Sequence, residues 1–171
     1  MQKLIVLRSG KTTGDLLPRN PSVSLQRLSG KGKARLRKAA DCLRPHINGK
    51  TFCVVCAEFP PIYEAGKYLG RQLGKFQPYA SPLLGTHDCG NLIDAYQCLE
   101  GYADLRDVCI VVVGRYLSFQ LPQHFCRNWP GGFWMHMHRA PFKGEGVVID
   151  FRERSFDFVN TPETPPGPVS Y

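Results

Sequence analysis

Three stretches of this chain are apolar without interruption: Leu4-Ile5-Val6-Leu7, Phe52-Cys53-Val54-Val55-Cys56 and Val108-Cys109-Ile110-Val111-Val112-Val113. Runs of four to six apolar residues, bounded by polar or turn residues, predict strands buried on both faces of a parallel sheet. Between them the spacing changes. Leu36, Ala39, Ala40 and Leu43 recur at helical intervals, which predicts an amphipathic helix from Ser29 to Leu43, with Ser29 as N-cap and Pro45 closing it. Pro60-Pro61 introduces a second helix from about Ile62 to Leu73, and Leu92, Ala95, Tyr96 and Leu99 mark a third. A fourth, short helix is predicted from Leu117 to Cys126, and a short extended segment from Pro78 to Leu83. Gly146 to Phe151 and Ser155 to Val159, separated by a polar turn, predict a hairpin. The βαβ order predicts a three-layer αβα domain with a mostly parallel central sheet, the run at Val108 in its middle, and the hairpin at its C-terminal end. That domain spans residues 1–160, and residues 161–171, with four prolines, read as a flexible tail.

Composition narrows the setting. At 171 residues and 43% hydrophobic the chain supports one core. No apolar run is long enough to span a bilayer, and Leu4 to Leu7 is too short for a secretory core, so a cytoplasmic protein is expected. The seven cysteines lack a disulfide-rich spacing and read as reduced thiols, mostly packed in the core. The net charge of +8 favours anionic partners but selects none, and much of it lies in Arg27, Lys31, Lys33, Arg35, Arg37, Lys38 and Arg44. Because no aromatic residues are interleaved with these cations, a solvated helix face is expected there, and nucleic acid is not the favoured partner.

Candidate chemistry gathers where strands end. The first strand runs into Arg8-Ser9-Gly10, and a guanidinium beside a hydroxyl and a glycine suits a phosphate. The long loop Lys11 to Gln26 follows, with Thr12 near its start; the run Gly85 to Gly90, holding His87 and Asp88, forms another loop. Gly114-Arg115 ends the Val108 strand. The order of elements and the Arg-X-Gly stretch resemble the histidine phosphatase (phosphoglycerate mutase-like) superfamily, in particular its short phosphohistidine phosphatases, over roughly Met1 to Val159. That resemblance implies the αβα fold and a phosphate pocket in which Arg8 matches the phosphate-binding arginine and Gly10 the glycine. It also implies that Ser9 stands where the nucleophilic histidine would be, and Arg115 where a second histidine would follow the last parallel strand. A second arginine expected after the second strand falls on Pro60.

Phosphoryl transfer needs a nucleophile that is largely unprotonated near neutral pH, and a serine hydroxyl lacks that property without a base in reach. Arg115 cannot be the base, because guanidinium stays protonated. The expectation is therefore a non-catalytic binding or regulatory protein with an anion pocket of Arg8, Ser9, Gly10, Thr12 and Arg115, and without cofactor. A phosphorylated ligand or a protein is the partner class this implies. The alternative is a phosphatase with a rearranged site, Ser9 served by His87 or Asp88. Cys53 and Cys56 have a C-x-x-C spacing, but on a strand they point to opposite faces, and no metal or redox role is expected. His136 and His138 would share a face without a third ligand, so they are not read as a metal site. Trp129, Phe133 and Trp134 form an aromatic loop cluster expected to cap the core.

Overall fold

A computed structural model of the chain describes residues 1–12, 27–75, 77–86, 90–129 and 139–160. Among the described residues six strands form one sheet: β1 (Lys3–Arg8), β2 (Phe52–Ala57), β3 (Tyr79–Ser81), β4 (Val108–Val113), β5 (Gly146–Asp150) and β6 (Ser155–Val159). Their order is β3-β2-β4-β1-β5-β6. β4 pairs parallel with both β1 and β2, which accounts for its six apolar residues: every one is buried, on either face. β3 continues the parallel part beside β2. The hairpin β5-β6 does not stand apart but extends the same sheet, β5 running antiparallel to β1, so the sheet is mixed. The half-buried pattern of β6 matches its position at the edge.

Among the described residues four α-helices cover the sheet: α1 (Gly30–Ile47), α2 (Pro60–Gln72), α3 (Leu92–Ala103) and α4 (Arg115–Cys126). α1 packs on α2, and α3 on α4. The two pairs lie on opposite faces, as β2 makes visible: Cys56 meets Gly66 of α2, whereas Cys53, three residues earlier, faces Cys109 and the α3 side. The C-x-x-C pair is thus split across the sheet, as strand periodicity predicts.

Two helix boundaries differ from expectation. α1 runs through Pro45 to Ile47 rather than stopping before it. Pro45 is exposed and sits in the last turn, so its missing N–H leaves only the Asp41 carbonyl without a helical partner, on a side open to water. α2 begins at Pro60, because proline at the first helical position gives up an N–H that has no intrahelical acceptor there. Of the aromatic cluster, Trp129 packs on the core, edge-on to Phe151 at 6.2 Å between ring centroids. Phe133, Trp134, His136 and His138 lie outside the described residues.

The lower rim of the sheet, where the parallel strands start, is tied by Asp107. Its carboxylate accepts from the Thr51 N–H (3.0 Å), the Thr51 hydroxyl (2.8 Å) and the Gln2 amide (2.8 Å), joining the starts of β1, β2 and β4. The hydrogen bonds from Thr51 hold the Asp107 carboxyl below the usual carboxylate range. A carboxyl depressed in the folded state contributes stability that is complete above the unfolded value, near about 3.9, and is lost as pH falls through the folded value. Asp107→Ala should therefore unfold at a lower temperature than the parent at neutral pH, and the gap should narrow steadily in melts taken below about pH 4. A gap that stays constant down to acid pH would remove the carboxylate from this role.

Candidate anion site at the strand exits

β1 and β4 are neighbours, yet the chain leaves β1 for α1 on one face and leaves β4 for α4 on the other. Such a divergence opens a crevice at the carboxyl ends of the two strands, the position where α/β folds collect ligands. Ser9 follows β1 at this end of the sheet, its N–H donating to the Val113 carbonyl at 2.9 Å. It is 0% exposed, and its hydroxyl has no hydrogen-bond partner among the described residues. A buried hydroxyl without a partner costs about 1–3 kcal/mol. On the other wall α4 begins, capped by Gly114, which offers no side chain to the first helical N–H groups. A helix start of this kind favours an anion.

Arg8 is placed by the segment before β5. Its N–H donates to the Glu145 carbonyl (2.9 Å), its carbonyl accepts from Gly144 (3.0 Å), and its Nη1 donates to the Pro141 carbonyl (2.8 Å). Glu145, 7% exposed, holds that segment in shape by accepting from the Phe142 N–H (2.8 Å) and from Arg139 (3.0 Å). Pro141 and Glu145 were not legible as site residues. They reach Arg8 only through the antiparallel pairing of β5 with β1, and no local spacing encodes a contact across more than 130 residues.

The remaining expected residues divide. Gly10 packs beneath α1: a Cβ there would lie 2.8 Å from a Leu28 methyl and 3.1 Å from a Leu36 methyl, so these side chains would have to shift. Thr12 is buried and forms an isolated bridge with Leu28, pinching the loop between them at its base. Arg115 is the first residue of α4, close in the chain to the crevice, but its side chain is exposed. Pro60 opens α2 and brings no charge, while Glu58 beside it is exposed. Cys56, near the end of β2, is no substitute nucleophile, since burial pushes its thiol up to about 12. His87 and Asp88 lie outside the described residues. Among the described residues no cluster of three potential metal ligands occurs, and no helix is long and apolar enough to cross a membrane.

The layered sheet superposes on solved structures that include several phosphatases. A protein assigned as the phosphohistidine phosphatase SixA from Agrobacterium tumefaciens superposes with a TM-score of 0.65 at 8% identity, over 92% of this chain and 96% of its own. The protein histidine phosphatase SixA bound to tungstate gives 0.64 at 17% identity, over 91% and 93%. A mycobacterial glucosyl-3-phosphoglycerate phosphatase with VO3 gives 0.61 at 12%, over 92% and 97%. The chain thus has the histidine phosphatase fold across nearly its whole length. No protein-family model and no curated protein matches its sequence.

Proposed function

We propose that this chain is a non-catalytic binding module that keeps an anion pocket at the β1–β4 crevice and takes phosphate or a phosphorylated ligand there. The buried Ser9 hydroxyl carries this reading. A solvent-excluded hydroxyl with no base beside it among the described residues is poorly placed for nucleophilic attack, yet remains a ready donor for an anion oxygen. Arg8 adds fixed positive charge at the same strand end, and the start of α4 adds backbone N–H groups. Tungstate and VO3 in the related folds support an oxyanion as the ligand class.

Affinity should be low, because the second-arginine position is Pro60 and a single guanidinium neutralises less charge. Thermal melts at constant ionic strength test the pocket. At ten times its Kd, phosphate should stabilise the parent by about 1.4 kcal/mol, a rise of about 3–6 °C. The rise should vanish in Arg8→Ala, whatever that variant's own melting temperature. Equal rises in both proteins would place the anion elsewhere and remove the pocket.

A further inference from the structure

We infer that the outer face of α1 is a docking surface for the phosphate backbone of a double-stranded nucleic acid, independent of the crevice. Six cations project from this helix, Lys31, Lys33, Arg35, Arg37, Lys38 and Arg44, and all are exposed, against the single carboxylate of Asp41. Only Arg44 pairs with a carboxylate among the described residues, at 3.4 Å to Asp41. An ordinary solvated helix intersperses both signs at i,i+3 and i,i+4 spacing, which stabilises it. α1 does the reverse. Lys31 with Arg35, and Lys33 with Arg37, are like charges at i,i+4, and the first turn contains no acid while carrying Lys31, against the positive end of the helix dipole. The helix thus carries two rows of positive charge, Lys31, Arg35 and Lys38 on one flank and Lys33, Arg37 and Arg44 on the other. Arg35, Arg37 and Arg44 are steadied by hydrogen bonds to the Lys143 carbonyl, the Tyr68 hydroxyl and the Gln72 carbonyl, and a polyanion would neutralise both rows.

The face also tells which polyanion. Protein interfaces are anchored by buried aromatic or aliphatic side chains at their centre. Among the described residues the exposed large hydrophobics are Tyr79, Leu83, Ile93, Leu105, Tyr116 and Phe142; none is on α1, and Phe142, next to the Lys143 that Arg35 contacts, is covered by the Arg139 guanidinium at 3.8 Å. The other exposed residues of the helix are Gly30, Ala34, Asp41, Cys42 and Pro45. Contacts made by charge alone fit a phosphate backbone, whose binding rests on counterion release and needs no apolar anchor. The lack of exposed aromatic residues on the helix counts against single strands, which bind by base stacking, and leaves the duplex.

Fluorescence anisotropy of the full chain with a short labelled duplex DNA of arbitrary sequence tests this. Binding should weaken linearly in log Kd against log salt. Replacing Lys31 and Lys38 together by glutamine should raise Kd about tenfold or more and reduce the salt slope by about 2. The double variant Arg106→Gln with Arg152→Gln, at the opposite end of the sheet, removes the same charge and should change neither. No binding at low salt, an equal loss in both double variants, or tighter binding of the unpaired strand would each overturn the proposal. So would equal competition by polyglutamate of matched charge, which would make the partner an acidic protein.

Discussion

Gly32→Ala should lower the melting temperature by about 5–10 °C, even though alanine is the better helix former. Gly32 is the third residue of α1, where alanine by propensity alone would gain up to about 1 kcal/mol. A Cβ at this position, however, would stand 2.1 Å from the Lys11 carbonyl oxygen and 2.9 Å from its nitrogen. Both are backbone atoms and neither can rotate away. The helix start and the strand exit would have to separate, loosening the two hydrogen bonds from Ser29 to the Lys11 carbonyl. Overpacking of this kind costs about 1–3 kcal/mol, occasionally more, and the upper part of that range is expected here. Gly101→Ala, in α3, supplies the contrast. Nothing lies within 4 Å of its added Cβ, so stability should rise by about 0.5–1 kcal/mol. Melts in which both variants shifted alike would show that the α1–Lys11 contact is looser than described. Because Lys11 follows Arg8-Ser9-Gly10, Gly32→Ala should also blunt the stabilisation by phosphate while leaving Arg8 in place.

Assays on generic phosphomonoesters and on phosphohistidine should show no turnover above background. The expected deficit is large, since loss of a nucleophile or its base costs about 10⁴–10⁶ in kcat. Ser9 would need a base within about 3 Å, and its hydroxyl meets none among the described residues. The Cys56 thiol, pushed up to about 12 by burial, is not a thiolate at neutral pH. Ser9→Ala makes the assay decisive, because deleting an unpartnered buried hydroxyl should not destabilise the fold. Turnover that disappeared in Ser9→Ala would overturn the non-catalytic reading and favour Ser9 with His87 or Asp88. Turnover unchanged by the substitution would locate a different site. A higher melting temperature in Ser9→Ala, together with a lost response to phosphate, would mean that the hydroxyl is kept for binding at a cost to stability.

The sequence by itself determined the elements and most of their arrangement. Uninterrupted apolar runs can be buried only where both faces are covered, so β1, β2 and β4 and their parallel pairing were legible, as was β4 at the centre. Helical spacing marked α1 and α2 to within a few residues, and the Pro45 boundary was missed because an exposed proline in a last turn costs little. The positions of Arg8, Ser9 and Gly114 at the ends of two adjacent strands were legible, because each follows directly on an uninterrupted apolar run. Only the tertiary structure decided what each of these residues touches. Arg8 meets Pro141 because β5 joins the sheet beside β1, Gly10 lies against Leu28 and Leu36, and the Arg115 side chain faces solvent. Local pattern encodes which face of an element is apolar, whereas partners brought together across a hundred or more residues depend on how the whole sheet is assembled.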